Sequence, residues 1–145
     1  MEIFTSRNIR LAVAASNKTQ ALGSLASFAV ELGYATDAAG VLTGMQEREE
    51  LTSTALMAGI AIPHAKVEAV QSTALLIQRF NADIDWGDQP VRVTLAMLVP
   101  EIEAGSTHLQ LLAQVSRALI DDDLQQLLNT GSEQEIFQEM SARLS

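Results

Sequence analysis

Residues 73–100 read TALLIQRFNADIDWGDQPVRVTLAMLVP. Two runs within this stretch, 73–80 and 91–99, are rich in Leu, Ile and Val, side chains that pack well on a pleated surface. Each reads as a strand. Pro100 closes the second run because proline lacks the amide that a ladder requires. Between the runs, residues 81–90 hold three aspartates, Gly87 and the sole tryptophan, Trp86. That composition predicts an exposed loop.

From Ser106 onward the apolar spacing is helical, about 3.6 residues. Leu109, Leu112, Ala113, Val115, Leu119 and Ile120 share one broad face of a helix that Ser106 or Thr107 is placed to cap. Asp121, Asp122 and Asp123 end it and cap another, which carries Leu124, Leu127 and Leu128 as far as Gly131. Ser132 with Glu135 three residues later forms a capping box for a last helix, whose buried stripe is Ile136, Phe137, Met140 and Leu144.

Upstream, residues 18–32 follow helical spacing through Ala21, Leu22, Leu25, Phe28, Ala29 and Leu32, with Ser16 or Asn17 as cap and Gly33 as stop. Thr36 or Asp37 caps a second helix to about Glu50, with Ala38, Val41, Leu42 and Met45 on one face. Residues 9–13 read as a short strand and residues 58–63 as an extended segment, since the residue before a proline avoids helical angles. His64 is thereby expected at a strand end, with the chain turning away at Ala65 and Lys66. The fold class that follows is α/β: a single domain over residues 1–145, with a small mixed central sheet sandwiched between helices. Neither repeats nor a linker divide the sequence.

Composition narrows the chemistry. The chain is 48% apolar but only 4% aromatic, so its core must be built from aliphatic side chains. With no cysteine there is no disulfide framework, thiolate metal site or cysteine nucleophile, and a reducing cytoplasm is the natural setting. No apolar run approaches the roughly 20 residues needed to span a bilayer, and the N-terminus lacks a signal-peptide pattern. An unprocessed cytoplasmic protein without direct membrane insertion is expected. Eighteen acidic against nine basic residues give a net charge of −9, which repels nucleic acid. The same acidity suits solubility or a basic protein partner.

Three residues can carry chemistry. His64 follows Ile62 and Pro63, and the end of a strand in an α/β sheet is a usual place for a ligand-binding side chain. Taken alone, a histidine there is more often structural. His108 lies in the first turn of a helix, where free amides and the helix dipole favour a neutral imidazole and attract an anion; it reads equally as an exposed first-turn residue. Arg48 offers a permanently charged fork for phosphate oxygens, although Glu47, Glu49 and Glu50 around it suit a solvated helix face. If the two histidines face each other, they make a phosphate pocket. Other chemistries fit less well. Two histidines without cysteine or H-E-x-x-H are too few for a catalytic zinc, no Gly-rich phosphate loop is present, and nothing matches G-x-S-x-G. No metal and no cofactor are expected.

The segment Arg48-Glu49-Glu50-Leu51-Thr52-Ser53-Thr54, followed by Gly59-Ile60-Ala61-Ile62-Pro63-His64, resembles the active-site signature of phosphotransferase-system enzyme IIA domains of the fructose/mannitol class. Asp85-Trp86 and His108-Leu109-Gln110-Leu111-Leu112-Ala113 continue the resemblance in the same order, so that it spans about residues 9–144. It implies that His64 accepts a phosphoryl group from the histidine-containing phosphocarrier protein and donates it to the IIB component of a sugar permease. His108 and Arg48 match the family's second histidine and active-site arginine. Most relatives carry glycine after the motif histidine, where this chain has Ala65; a Cβ there limits positive φ and hinders backbone approach to the phosphate. Two further readings share the fold: a regulatory protein whose phosphorylation at His64 controls binding to other proteins, and an interaction module that has lost the relay.

Overall fold

The structure is a computed structural model that describes residues 1–103 and 105–144, residue 107 by its backbone alone. Its centre is an antiparallel pair, β4 (Ala74–Asp85) and β5 (Pro90–Pro100). β1 (Ile9–Val13) adds to β4 in parallel, while β2 (Ile60–Ala61) and β3 (His64–Val67) add in parallel to the other side of β5. The sheet is therefore mixed and five-stranded, in the order β1-β4-β5 with β2 and β3 along one edge.

Helices α1 (Lys18–Glu31) and α2 (Ala38–Leu51) cover one face; α3 (Gly105–Ala118), α4 (Asp122–Thr130) and α5 (Glu133–Leu144) cover the other. Alternation along β4 feeds both layers. Ala74, Leu76 and Phe80 pack with Leu22, Leu25, Phe28 and Met45, whereas Leu75 and Ile77 pack with Leu111, Val115, Ile136 and Met140. Burial on both faces is why the run is apolar without visible alternation. Local signals set the helix starts: Asn17 Oδ1 accepts from the Gln20 amide at 2.9 Å, Asp37 Oδ1 from Ala39 at 3.1 Å and Asp121 Oδ1 from Asp123 at 2.9 Å. Ser132 and Glu135 bond reciprocally at 3.0 and 3.2 Å, as a capping box requires.

Three expectations about these elements fail. Residues 81–85 are not loop: β4 runs on to Asp85, only residues 86–89 turn, and Ile84 and Trp86 are both buried. Ile84 keeps the alternation that puts Ala74, Leu76 and Phe80 on the α1–α2 face, while polar Asn81 and Asp83 stay exposed. Ladder pairing uses backbone groups and does not require apolar side chains. The second failure is the face of α3, where Leu109 and Ile120 are exposed and the buried stripe is Leu111, Val115, Ala118 and Leu119. Leu109 lies about 200° around the helix from Leu111, and Ile120 lies beyond the helix end. Because α3 begins at Gly105, Ser106 and Thr107 sit inside its first turn instead of capping it; the Thr107 side chain lies outside the described residues.

Gln78 is a polar residue in the fully covered part of β4. It is fully buried, and neither its Nε2 nor its Oε1 has a hydrogen-bond partner among the described residues. An unmade buried hydrogen bond costs about 1–3 kcal/mol. Gln78→Met keeps length and volume while removing the orphaned atoms, so it is expected to raise the unfolding free energy by about 1–2 kcal/mol. The check is a higher urea midpoint at unchanged slope; a lower midpoint would mean that the amide is satisfied in solution.

Candidate functional site

The edge of the sheet formed by β2 and β3 carries the first imidazole. Ile60 and Ala61 pair with Val93 and Thr94, and His64 and Ala65 pair with Met97 and Leu98, the same offset on both sides of Pro63. The strand is thus one line interrupted by a proline, and His64 opens its second half. The expected strand end and turn are corrected here: Ala65 and Lys66 continue in extended conformation. Proline removes one ladder donor and is tolerated at an edge without turning the chain; its carbonyl still accepts the Met97 amide at 2.9 Å.

Among the described residues, those other than glycine with positive φ are Ala12 and Ala58, so residue 65, in extended β3, makes no conformational demand for glycine. Its methyl belongs to the core beneath α1 and α2. Gly44 lets α2 approach this strand closely, since a Cβ there would stand 3.2 Å from the Ala65 methyl and 2.5 Å from Val67 Cγ1. That close approach brings the next turn of α2, and Arg48 with it, beside His64.

Arg48 Nε donates to His64 Nε2 at 2.8 Å, and Arg48 Nη1 donates to the Thr52 carbonyl at 2.8 Å. His64 Nδ1 stands 2.9 Å from the Ile62 carbonyl oxygen. Guanidinium only donates and a carbonyl only accepts, so one protonation state meets both contacts: neutral imidazole with its proton on Nδ1 and its lone pair on Nε2. From α3, the His108 ring comes to 5.3 Å from that of His64, inclined by 68°. The three residues singled out in the sequence are therefore together, although β3, α2 and α3 deliver them from distant parts of the chain. Among the described residues, no three His, Asp or Glu side chains group as metal ligands.

Burial pushes the His64 imidazole below its ordinary value; the Ile62 carbonyl opposes this, and Arg48 and His108 add to it. Burial likewise lowers His108, with Lys66 and Arg48 contributing. Both rings are accordingly neutral near pH 7. An imidazole whose folded value is depressed binds protons more readily in the unfolded chain. Its contribution to stability is complete above the ordinary value of 6.5 and shrinks as pH falls below it. Asp121 and Glu135 are also depressed, by Arg143 and by Ser132, but their contributions are lost only in the carboxylate range. The urea midpoint should therefore be lower at pH 5 than at pH 7.5, and the difference should narrow in a His64→Ala/His108→Ala double variant. An unchanged pH dependence in that variant would exclude the imidazoles as its source.

Sequence reasoning missed Glu49, Thr54 and Trp86. Glu49 reads as part of a solvated face, yet its side chain is only 5% exposed; Thr54 and Trp86 are buried beside it. The available signal was that all three stand within the matched motif segments without a role assigned to them.

Comparison with known proteins extends the local geometry to the whole chain. Residues 2–142 match the family model described as Phosphoenolpyruvate-dependent sugar phosphotransferase system, EIIA 2. The PTS system fructose-specific EIIA component of Haloferax volcanii is 31% identical over 132 residues, which cover 89% of this chain and 85% of that protein. The Nitrogen regulatory protein of Bradyrhizobium diazoefficiens is 36% identical over 123 residues, covering 83% and 79%. The solved complex of enzyme IIA-Mtl and phosphorylated enzyme IIB-Mtl from Escherichia coli aligns with a TM-score of 0.79 at 25% identity, over 96% of this chain and 97% of that one. Some relatives are far longer: the match covers 18% of the PTS system 2-O-alpha-mannosyl-D-glycerate-specific EIIABC component of Escherichia coli, at 28% identity over 121 residues. With the family match running through every strand and helix described above, the chain belongs to the EIIA type 2 family of the phosphoenolpyruvate-dependent sugar phosphotransferase system.

Proposed function

We propose that this chain, acting as one cytoplasmic domain, relays a phosphoryl group on His64 Nε2 from the histidine-containing phosphocarrier protein to a sugar-specific IIB component. The observation that carries the reading is the pair of contacts on one ring: Nδ1 tied to the Ile62 carbonyl and Nε2 facing Arg48 with its lone pair. In the forward step a bond forms between Nε2 and phosphorus while the bond from phosphorus to the donor's histidine nitrogen breaks. The donor imidazole leaves with that electron pair, and Nδ1 keeps its proton. Arg48 gives up Nε2 and turns its donors to the phosphoryl oxygens, where a fixed positive charge stabilises the transition state. His108, whose ring lies 5.3 Å from that of His64, supplies one further N–H donor from its neutral imidazole. On discharge the bond from phosphorus to Nε2 breaks, its electron pair returning to the ring, while a bond forms between phosphorus and the nucleophile of the IIB component.

Transfer between two proteins needs a docking face around the nitrogen. Leu51, at the end of the helix that carries Arg48, and Leu109, next to His108 on α3, are both exposed, and exposed apolar side chains beside a site suit protein contact. Likeness to the IIA-Mtl partner of a phosphorylated IIB supports the same direction of transfer. A second reading, in which phosphorylation controls binding to other proteins, is favoured by the likeness to a nitrogen regulatory protein.

The test is incubation with labelled phosphoenolpyruvate, enzyme I and the phosphocarrier, followed by addition of a fructose- or mannitol-class IIB domain. Acid-labile label that IIB discharges supports the relay; label that persists against every IIB domain supports the regulatory reading. A chain that never takes up label is neither.

A further inference from the structure

Glu49 stands next to Arg48 on α2 and has no part in the bond changes above. Four donors converge on its buried carboxylate: Lys18 Nζ at 3.0 Å, Trp86 Nε1 at 3.1 Å, the Thr54 amide at 3.2 Å and the Thr54 hydroxyl. A buried carboxylate persists where its charge and lone pairs are met, and α1, the turn after β4 and the segment between α2 and β2 all meet this one.

The two bonds from Thr54 lead to the site. Thr54 is buried, and its carbonyl accepts the Ile62 amide at 3.0 Å. The carbonyl of Ile62 in turn faces His64 Nδ1 at 2.9 Å. A continuous line of hydrogen bonds therefore runs from Glu49 through Thr54 and Ile62 to the nitrogen that keeps its proton. Arg48 holds the same segment at the Thr52 carbonyl and reaches the other nitrogen. Adjacent residues of one helix thus govern the two nitrogens of one ring.

We propose that Glu49 is a positioning residue: by holding Thr54 it sets the Ile62 carbonyl where it keeps His64 in the Nδ1–H form and leaves Nε2 as the nucleophile. The kinetic consequence rests on the phosphoryl reading, whereas the tautomer does not. A neutral imidazole has two tautomers, and its partners select between them. Without a placed carbonyl only the Arg48 donor still opposes the Nε2–H form, and that form cannot attack through Nε2.

The test uses the full chain labelled with nitrogen-15 at pH 7.5, with long-range proton–nitrogen correlation spectra to read the His64 tautomer. Wild type should show the Nδ1–H form alone. Glu49→Ala should show a mixture and slow phosphoryl uptake by roughly tenfold to hundredfold, the scale of a small misplacement at a reacting centre. Glu49→Asp keeps the charge that faces Lys18 but falls short of Thr54, so it should behave like alanine. Glu49→Gln keeps the reach and an acceptor oxygen, so it should retain the Nδ1–H form. Met140→Ala, a core change in α5, should lower stability with no change of tautomer. A purely structural clamp predicts the opposite order, with Asp better than Gln and the tautomer constant throughout. Glu49→Ala and Glu49→Asp both folded and both wholly Nδ1–H would overturn the assignment; if the alanine variant does not fold, the aspartate variant decides. The spectra need no phosphoryl donor, so failure of the phosphoryl reading is seen separately, in the uptake of label by wild type.

Discussion

Replacement of His64 by alanine is expected to abolish acid-labile phosphoryl uptake, a loss of roughly 10⁴-fold or more, as for removal of a nucleophile elsewhere. No neighbouring group can substitute. His108, the only other histidine, stands with its ring centre 5.3 Å away on a different element, and no cysteine exists. The fold should survive, because His64 lies on an edge strand whose backbone pairing with Met97 does not depend on the side chain. Alanine leaves Arg48 without its imidazole acceptor but still bound to the Thr52 carbonyl. Circular dichroism and a cooperative urea transition close to wild type, together with absent label, are the expected pair of results. Undiminished label in the variant would move the carrier site elsewhere.

Removal of Arg48 should produce the second largest effect. Arg48→Ala is expected to lower the rate of phosphoryl uptake by roughly 10²–10³-fold, the usual consequence of losing one preorganised donor at a site of developing negative charge. Arg48→Lys should recover only part of this. An ammonium restores charge, but it cannot hold the Thr52 carbonyl and the reacting group together from one planar fork. Because Nε2 would lose its donor while Nδ1 kept the Ile62 carbonyl, the imidazole should also become easier to protonate, and the acid limb of the rate profile should move to higher pH. Single-turnover transfer from the phosphorylated carrier across pH 5–8 reads both quantities. A lysine variant at wild-type rate would reduce the role of Arg48 to simple charge.

Exposure of Leu109, unexpected from its periodicity, follows from the face of α3 that meets the core: Leu111 is buried and Leu109 lies on the opposite side, beside His108. Periodicity locates an apolar stripe but does not say whether each member meets its own chain or another. The same ambiguity explains the misreading of Glu49. Its neighbours Glu47 and Glu50 suit a solvated face, and only the arrival of Lys18, Thr54 and Trp86 from three other segments converts one of these glutamates into a buried hub.

Short-range chemistry written in the sequence determined the helix starts at Asn17, Asp37, Asp121 and Ser132, the two central strands and the α/β layering. Each depends on a side chain reaching an amide two or three residues away, or on apolar runs that must be covered on both faces. Tertiary structure alone decided three things: that β4 continues through a polar stretch to Asp85, that the chain crosses Pro63 without turning, and that His64, Arg48 and His108 converge. Ladder pairing, edge tolerance for proline and close approach of a helix at Gly44 are relations between segments. No local pattern encodes them, because their free energy appears only when both partners are in place.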